Sequence, residues 1–388
     1  MVAISGAALT AFGRRRDGSS FRDWARQAFD AALAMSGLEP ADIDLLVVAS
    51  ESDFFTLQLN SASVIAGDLG LTGAATMRVE GGGASGQLAV HAGVARIMAG
   101  LAQHVAVVGV DPSASALPGD TMRDLYGFSF DAWTDGMTGA SSSMLYALSW
   151  QDFAARHGAT EADLAAVTMQ NRQNACANPG AHLPRSHNAA EIAASPMIAS
   201  PYRRLHCSPL SDGAAAVILS RPDALPQARQ AAPRITGIGA SSDYAHLGAR
   251  PHPGDFSAKT RAMTRALDMA GIAAREIGLA EVYDAYAGAQ LQGIAALGIA
   301  PDWQRELHAG AFDIDGRCPV NLSGGLMGQG APVGATGVGQ TATCALLLEG
   351  RYHAGLQPRR SPDHALADTH GGIATSCAVT ILSQRAGA

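Results

Sequence analysis

Lysine is all but missing from this chain: Lys259 is the only one, and every other basic residue is arginine. A Schiff-base mechanism needs a lysine inside its pocket. Lys259 sits in FSAKTRAMTRALDMAG, an amphipathic helix pattern whose solvated face is its expected home, so imine chemistry is not expected. Cysteine is scarce as well. Cys176, Cys207, Cys318, Cys344 and Cys377 are scattered, odd in number and free of any CxxC, so neither a disulfide framework nor a zinc site is signalled. His91, His104, His157, His182 and His187 form no metal-binding i, i+4 pair and are expected on loops or helix surfaces, which also disfavours a metal-dependent mechanism. No run of about eighteen apolar residues occurs, and MVAISGAALTAFG lacks a charged segment ahead of its apolar part, so a soluble, cytoplasmic protein is expected, with no membrane partner. A formal charge of -7, with no basic stripe, argues against nucleic acid as a partner.

Glycine, by contrast, is concentrated. The stretch 319–339, PVNLSGGLMGQGAPVGATGVG, alternates glycines with Asn321, Ser323 and Thr336. Each glycine inside a helix or strand costs about 0.5–1 kcal/mol relative to alanine, so this density means backbone held close to a ligand, a helix or a second loop. A flexible linker would be polar and would not carry Leu322, Leu326, Met327, Pro332 and Val333.

The chain is long enough for two or three domains. Residues 3–12 read as a first strand. Ser20 and Asp23 then mark the start of a helix that runs to Met35 and stops at Gly37. LLVVAS is a continuous apolar run typical of a strand buried on both faces. MRVEGGGASGQLAVHAGVARIMAG gives a strand, a glycine turn and a long helix, and the strand HVAVVGVD follows. The pattern recurs: SGLEPADIDLLVV (36–48) matches AGIAAREIGLAEV (270–282), and 79–100 matches 320–340. Such duplication implies two α/β halves with mostly parallel sheets about a pseudo-twofold axis. Ligands collect where loops leave strand ends, so both glycine turns should face one pocket. Residues 1–111 with 207–228 are assigned to the first half, 112–206 to a loop domain, and 229–388 to the second half, with 221–234 as the hinge.

Several stretches resemble the thiolase superfamily: CSPLSDGAAAVIL (207–219), EVYDAYAGAQLQGIAALG (281–298) and NLSGGL with GATGVGQ. The resemblance is strongest to sterol-carrier-protein-type thiolases and to thiolase-like aldolases of steroid side chains. It implies a layered α/β thiolase fold of two duplicated half-domains plus a loop domain. It also implies a coenzyme A thioester as substrate without a further cofactor, a homodimer and, by analogy with the aldolases, a small zinc-ribbon and OB-fold partner protein.

At the catalytic positions the chain departs from the family. The resemblance aligns Gly83 with the nucleophilic cysteine and Ala331 with the histidine of the G-H-P motif. Tyr283, in Tyr283-Asp284-Ala285-Tyr286, stands where thiolases begin N-E-A-F or H-D-x-F, and His370 lies at or beside the second cysteine of the C-x-G-G loop. These matches imply Tyr283 as acid or donor, His370 as general base, and the backbone N–H groups of Gly83 and Gly372 as oxyanion donors. They imply Asn321, Ser323 and Gly324 as substrate-binding residues. Without a thiolate at position 83 no acyl-cysteine can form there. Three readings stay open: an aldolase-type enzyme that makes or breaks a C–C bond beside a CoA thioester without a covalent intermediate; an acyltransferase with its nucleophile moved to Cys377 or Ser85; and a non-catalytic acyl-CoA-binding or scaffold subunit.

Overall fold

The computed structural model describes residues 1–384. The first turns are set locally. β1 (Val2–Leu9) leads into α1 (Phe21–Ser36), whose start is fixed by the Asp23 carboxylate accepting from the Ser20 N–H at 2.8 Å. Gly37 ends that helix at φ 72°, a conformation that glycine adopts without a side-chain penalty. Next come β2 (Leu45–Ala49), buried at every position, and β3 (Ala75–Val79). α2 (Ser85–Met98) and β4 (His104–Pro112) follow. The excursion after β4 contributes α3 (Ser142–His157) and α4 (Glu161–Ala177), and the chain returns to the sheet with β5 (Asp212–Ser220). The second half then supplies β6 (Arg234–Ser242), α5 (Ser257–Ala270), β7 (Leu279–Glu281) and α6 (Ala287–Leu297). It closes with α7 (Val333–Leu348), β8 (His364–Gly371) and β9 (Ser376–Ser383).

These strands form one nine-stranded sheet in the order β3-β2-β4-β5-β1-β6-β9-β8-β7. The duplication is visible in that order. From its outer edge, the first half runs third, second, fourth, fifth, first strand. The second half repeats this if Val320, which makes an isolated parallel bridge to Ala280, stands for its third strand. The halves meet antiparallel, Val2 opposite Ile235 and Ala3 opposite Arg234. Strand direction is mixed: β2 is parallel to β3 and to β4, and β7 to β8, whereas the inner pairings are antiparallel.

Helix α1 packs outside the first half on β1, β4 and β5, and α5 outside the second half on β6 and β9. α2 and α7 pack on each other, and α7 touches both β4 and β8, so this pair lies between the half-sheets. Their approach accounts for much of the glycine. A Cβ on Gly86 would lie 2.7 Å from Gly337 Cα, and one on Gly337 would lie 2.6 Å from the Gln87 nitrogen. No described helix is long and apolar enough to cross a membrane.

Three sequence expectations change here. Lys259 is not on a solvated face. It is fully buried, because Ala258, Ala262, Met263 and Ala266 on the same side of α5 all face the sheet. His91 and His104 are not surface residues either. Both are buried, and each bonds a hydroxyl of the sheet: His91 Nε2 with Thr380 Oγ1 at 3.0 Å, His104 Nδ1 with Ser220 Oγ at 2.9 Å.

Candidate active site

A cavity of about 920 Å³ opens where the excursion between β4 and β5 covers the loops that leave the strands. Its lining draws on both halves: Glu51 beyond β2, Gly83 ahead of α2, Tyr283 beyond β7, Ala331 and Val333 at the start of α7, and His370 and Gly372 at the end of β8. The excursion adds Tyr146 from α3 and Arg172 from α4, with Arg185 and Arg204 as exposed side chains. A second cavity of about 420 Å³ shares Glu51, Tyr126, Ser129 and Gly372 with the first.

The two glycine loops that separate these cavities touch each other. A Cβ on Gly82 would lie 3.3 Å from Gly371 Cα, and Gly372 turns the chain at φ 58°. At Gly83 there is no room for a side chain. A Cβ there would come within 2.9 Å of Tyr283 Cζ, and closer still to the Tyr283 hydroxyl and the His370 carbonyl oxygen. The phenol of Tyr283 therefore fills the space in front of residue 83. Burial raises its pKa well above that of an ordinary tyrosine, with the Glu51 charge adding to the effect, so it stays protonated and keeps a hydrogen to donate. Among the described residues, the backbone N–H groups of Gly83 and Gly372 have no protein acceptor.

His370 is placed quite differently from a free base. Lys259 Nζ donates to Asp368 Oδ2 at 2.5 Å and lies 3.1 Å from His370 Nδ1. An ammonium has no lone pair, so Nδ1 must accept and the ring proton sits on Nε2. Nε2 then donates to Tyr146 Oη at 2.9 Å, and Tyr146 passes its own hydrogen to the Gly372 carbonyl at 2.9 Å. Both ring nitrogens are thus committed. Burial, followed by the charges of Lys259 and Arg250, holds the pKa of His370 well below the usual histidine value. The general-base role expected for His370 does not fit this arrangement. The ring instead acts as a fixed link that ties α5 and α3 to the glycine loop.

A different group has the properties of a base. Glu51 is half-buried and lines both cavities; Ser129 Oγ donates to its Oε1 at 3.1 Å, and the Tyr126 hydroxyl also acts on the carboxyl, whose Oε2 is enclosed. Burial, and then the nearby Asp111 charge, push its pKa up to about 8. Asp111 is itself raised to about 7 by burial, and it fixes the loop by accepting from Ser50 Oγ (2.9 Å), Glu51 N (3.0 Å) and Gly334 N (2.6 Å). Glu51 also acts on the titration of both Tyr126 and Tyr283, so the three groups form one cluster. Neither Glu51 nor Arg172 stands out in the sequence. Glu51 follows directly on a buried parallel strand, the place where open α/β sheets put their ligands.

Asn321, Ser323 and Gly324 lie beneath the cavity rather than on it. Asn321 Oδ1 accepts from Val282 N at 2.7 Å, Ser323 Oγ donates to the buried Glu281 at 2.5 Å, and Gly324 backs onto Ala175. Their polar atoms hold up the Tyr283 loop and have nothing left for a substrate. Ser85 is also engaged, donating to the Gly82 carbonyl at 2.6 Å and accepting from Gly81 N at 2.9 Å. Cys377 is buried outside the cavity, and Cys207 lines it. Burial pushes both thiols up to about 12, so neither is a thiolate.

The thiolase N-terminal domain matches residues 2–186, and the thiolase C-terminal domain-like family matches residues 239–384. An acetyl-CoA acetyltransferase of Methanothermobacter thermautotrophicus is 32% identical across 99% of both chains. The chain belongs to the thiolase family. Among other relatives of this thiolase chain, the benzoylsuccinyl-CoA thiolase subunit BbsB of Thauera aromatica is 27% identical, over 96% of this chain and 94% of its own. Bovine sterol carrier protein 2 is 26% identical over 98% of this chain and 72% of its own. The solved structure of the Ltp2-ChsH2(DUF35) aldolase shares the fold with a TM-score of 0.84 at 24% identity, covering 99% of this chain and 98% of that one.

Proposed function

We propose that this thiolase-family protein makes or breaks a C–C bond beside a CoA thioester by aldol or retro-aldol chemistry, with no acyl-enzyme intermediate. The observation that carries this reading is the Tyr283 phenol packed against Gly83, which leaves no space for a nucleophilic side chain at that position. By the motif resemblance this is the position of the family's cysteine. The state of Ser85, Cys207 and Cys377 supports the same reading, since each is bonded away or held as a neutral thiol. One structural neighbour, Ltp2-ChsH2(DUF35), is an aldolase, and a small companion subunit is part of this proposal for the present chain too.

In the cleavage direction, the Glu51 carboxylate takes the proton of the β-hydroxyl. The Cα–Cβ pair moves into the thioester as its enolate, and a ketone or aldehyde leaves. The enolate oxygen accepts from the Gly83 and Gly372 N–H groups and from the Tyr283 hydroxyl. Proton return to Cα completes a shortened acyl-CoA. Such donors are commonly the largest single catalytic contribution, about 2.7–4 kcal/mol each. The test is product analysis on a panel of β-hydroxyacyl-CoA thioesters. Release of a carbonyl compound together with a shortened acyl-CoA is expected. Turnover of β-ketoacyl-CoA with free CoA, and of no hydroxyacyl thioester, would contradict the proposal.

A further inference from the structure

Arg172 is the one cavity-lining cation that the site chemistry above leaves unused although it is buried. It projects from α4, is 3% exposed and lines the same cavity as Tyr283 and Gly83. Its Nε is fully buried and without a partner, and the guanidinium makes no hydrogen bond to, or ion pair with, any described residue. Asp284 is the carboxyl near enough to act on it, but that group is already engaged by Leu326 N (2.6 Å), Met327 N (3.2 Å) and Asn171 Nδ2 (2.8 Å). Those three N–H donors occupy both Asp284 oxygens, so the carboxyl makes no hydrogen-bonded pair with the arginine. Buried guanidinium groups are almost always paired, because an isolated buried charge is costly. A planar donor fork facing a cavity is suited to bidentate binding of a carboxylate.

Building on the acyl-CoA reading, the geometry points to Arg172 as the binding site for a carboxylate carried by the acyl part of the substrate, which makes the substrates CoA thioesters of dicarboxylic acids. A phosphate of the CoA moiety offers the same oxyanion chemistry. Those phosphates are multiply charged and suit the solvent-exposed Arg185 and Arg204, whereas Arg172 is enclosed.

The experiment is calorimetric binding of CoA, butyryl-CoA and succinyl-CoA to the full chain, wild type, Arg172→Gln and Arg172→Lys. Wild type is expected to bind succinyl-CoA about tenfold or more tighter than butyryl-CoA, as a charge-assisted hydrogen-bonded pair provides. Arg172→Gln should lose that preference while CoA and butyryl-CoA bind as before, and Arg172→Lys should keep part of it. With no ligand, Arg172→Gln should melt at the same temperature as wild type or higher, since an uncompensated charge is removed. Equal wild-type affinity for the two thioesters overturns the inference. A uniform loss of CoA and butyryl-CoA binding in Arg172→Gln overturns it in favour of a phosphate contact. Failure of every thioester to bind wild type would overturn the acyl-CoA reading itself, and the inference with it.

Discussion

The phenol of Tyr283 occupies the space in which a side chain on Gly83 would lie. A thiolase-type cysteine and this tyrosine cannot share the site in its present geometry. Gly83→Ala and Gly83→Cys should therefore both destabilise the protein, by about 1–3 kcal/mol or more as overpacked cores do, because one colliding atom is the His370 backbone carbonyl. Thermal melts of the two variants check this. A Gly83→Cys protein that is as stable as wild type and gains thiolysis would contradict it.

Tyr283→Phe keeps the packing and removes only the donor. Turnover is expected to drop by about 10²-fold or more, with a smaller change in KM, since the hydroxyl acts on charge that develops in the transition state. Steady-state kinetics decide the matter. Unchanged turnover would make Tyr283 a packing residue.

The pH profile separates Glu51 from His370. With Glu51 as base, kcat/KM should rise with pH through about 8, and Glu51→Gln should lower kcat by about 10²-fold or more and abolish that limb. His370→Ala should lower turnover through the loosened Tyr146 and glycine loop yet retain the limb. A limb near the ordinary histidine value that vanishes in His370→Ala would return the role to the histidine.

Much of the fold was legible in the sequence, and the site only in outline. The duplicated strand–glycine–helix pattern at 79–100 and 320–340 matches the two central helices, because the periodicities that specify those elements are local. The site depends on contacts distant in sequence. Lys259 reaches Asp368 and His370 across more than a hundred residues, and this contact removes the histidine's lone pair. One local signal was available: Lys259 precedes Ala262, Met263 and Ala266 at helical spacing, which places it on the apolar stripe. Asn321 and Ser323 differ from expectation for a related reason. Their polar side chains answer buried groups of the neighbouring strand, Val282 N and Glu281, that a linear reading does not bring together.

Four carboxyls held above their usual range, three of them fully buried and Glu51 half-buried, give folding a pH dependence. Glu51 and Asp284 are raised to about 8, and Asp111 and Glu281 to about 7, in each case mainly by burial. The unfolded chain ionises these groups near 4, so between that point and the folded value the native state holds more protons. Stability is then greatest below the unfolded pKa and declines as pH rises, by at most about 1.4 kcal/mol per pH unit for each group. Below about pH 6.5 the buried, neutral His91, His206 and His370 act in the opposite sense, because burial holds their pKa values below that of an ordinary histidine. The melting temperature should therefore fall between pH 7 and 8, and Glu51→Gln should flatten part of the slope. A flat or rising melting temperature over that range would contradict the raised pKa values of these carboxyls.

In the proposed mechanism C–C bond chemistry proceeds with no acyl group on the protein. Rapid-quench intact-mass analysis during turnover of a β-hydroxyacyl-CoA tests it most directly. Unmodified protein is expected at every time point while the carbonyl product and shortened acyl-CoA accumulate. A transient acyl adduct, formed and consumed at the rate of turnover, would contradict the claim.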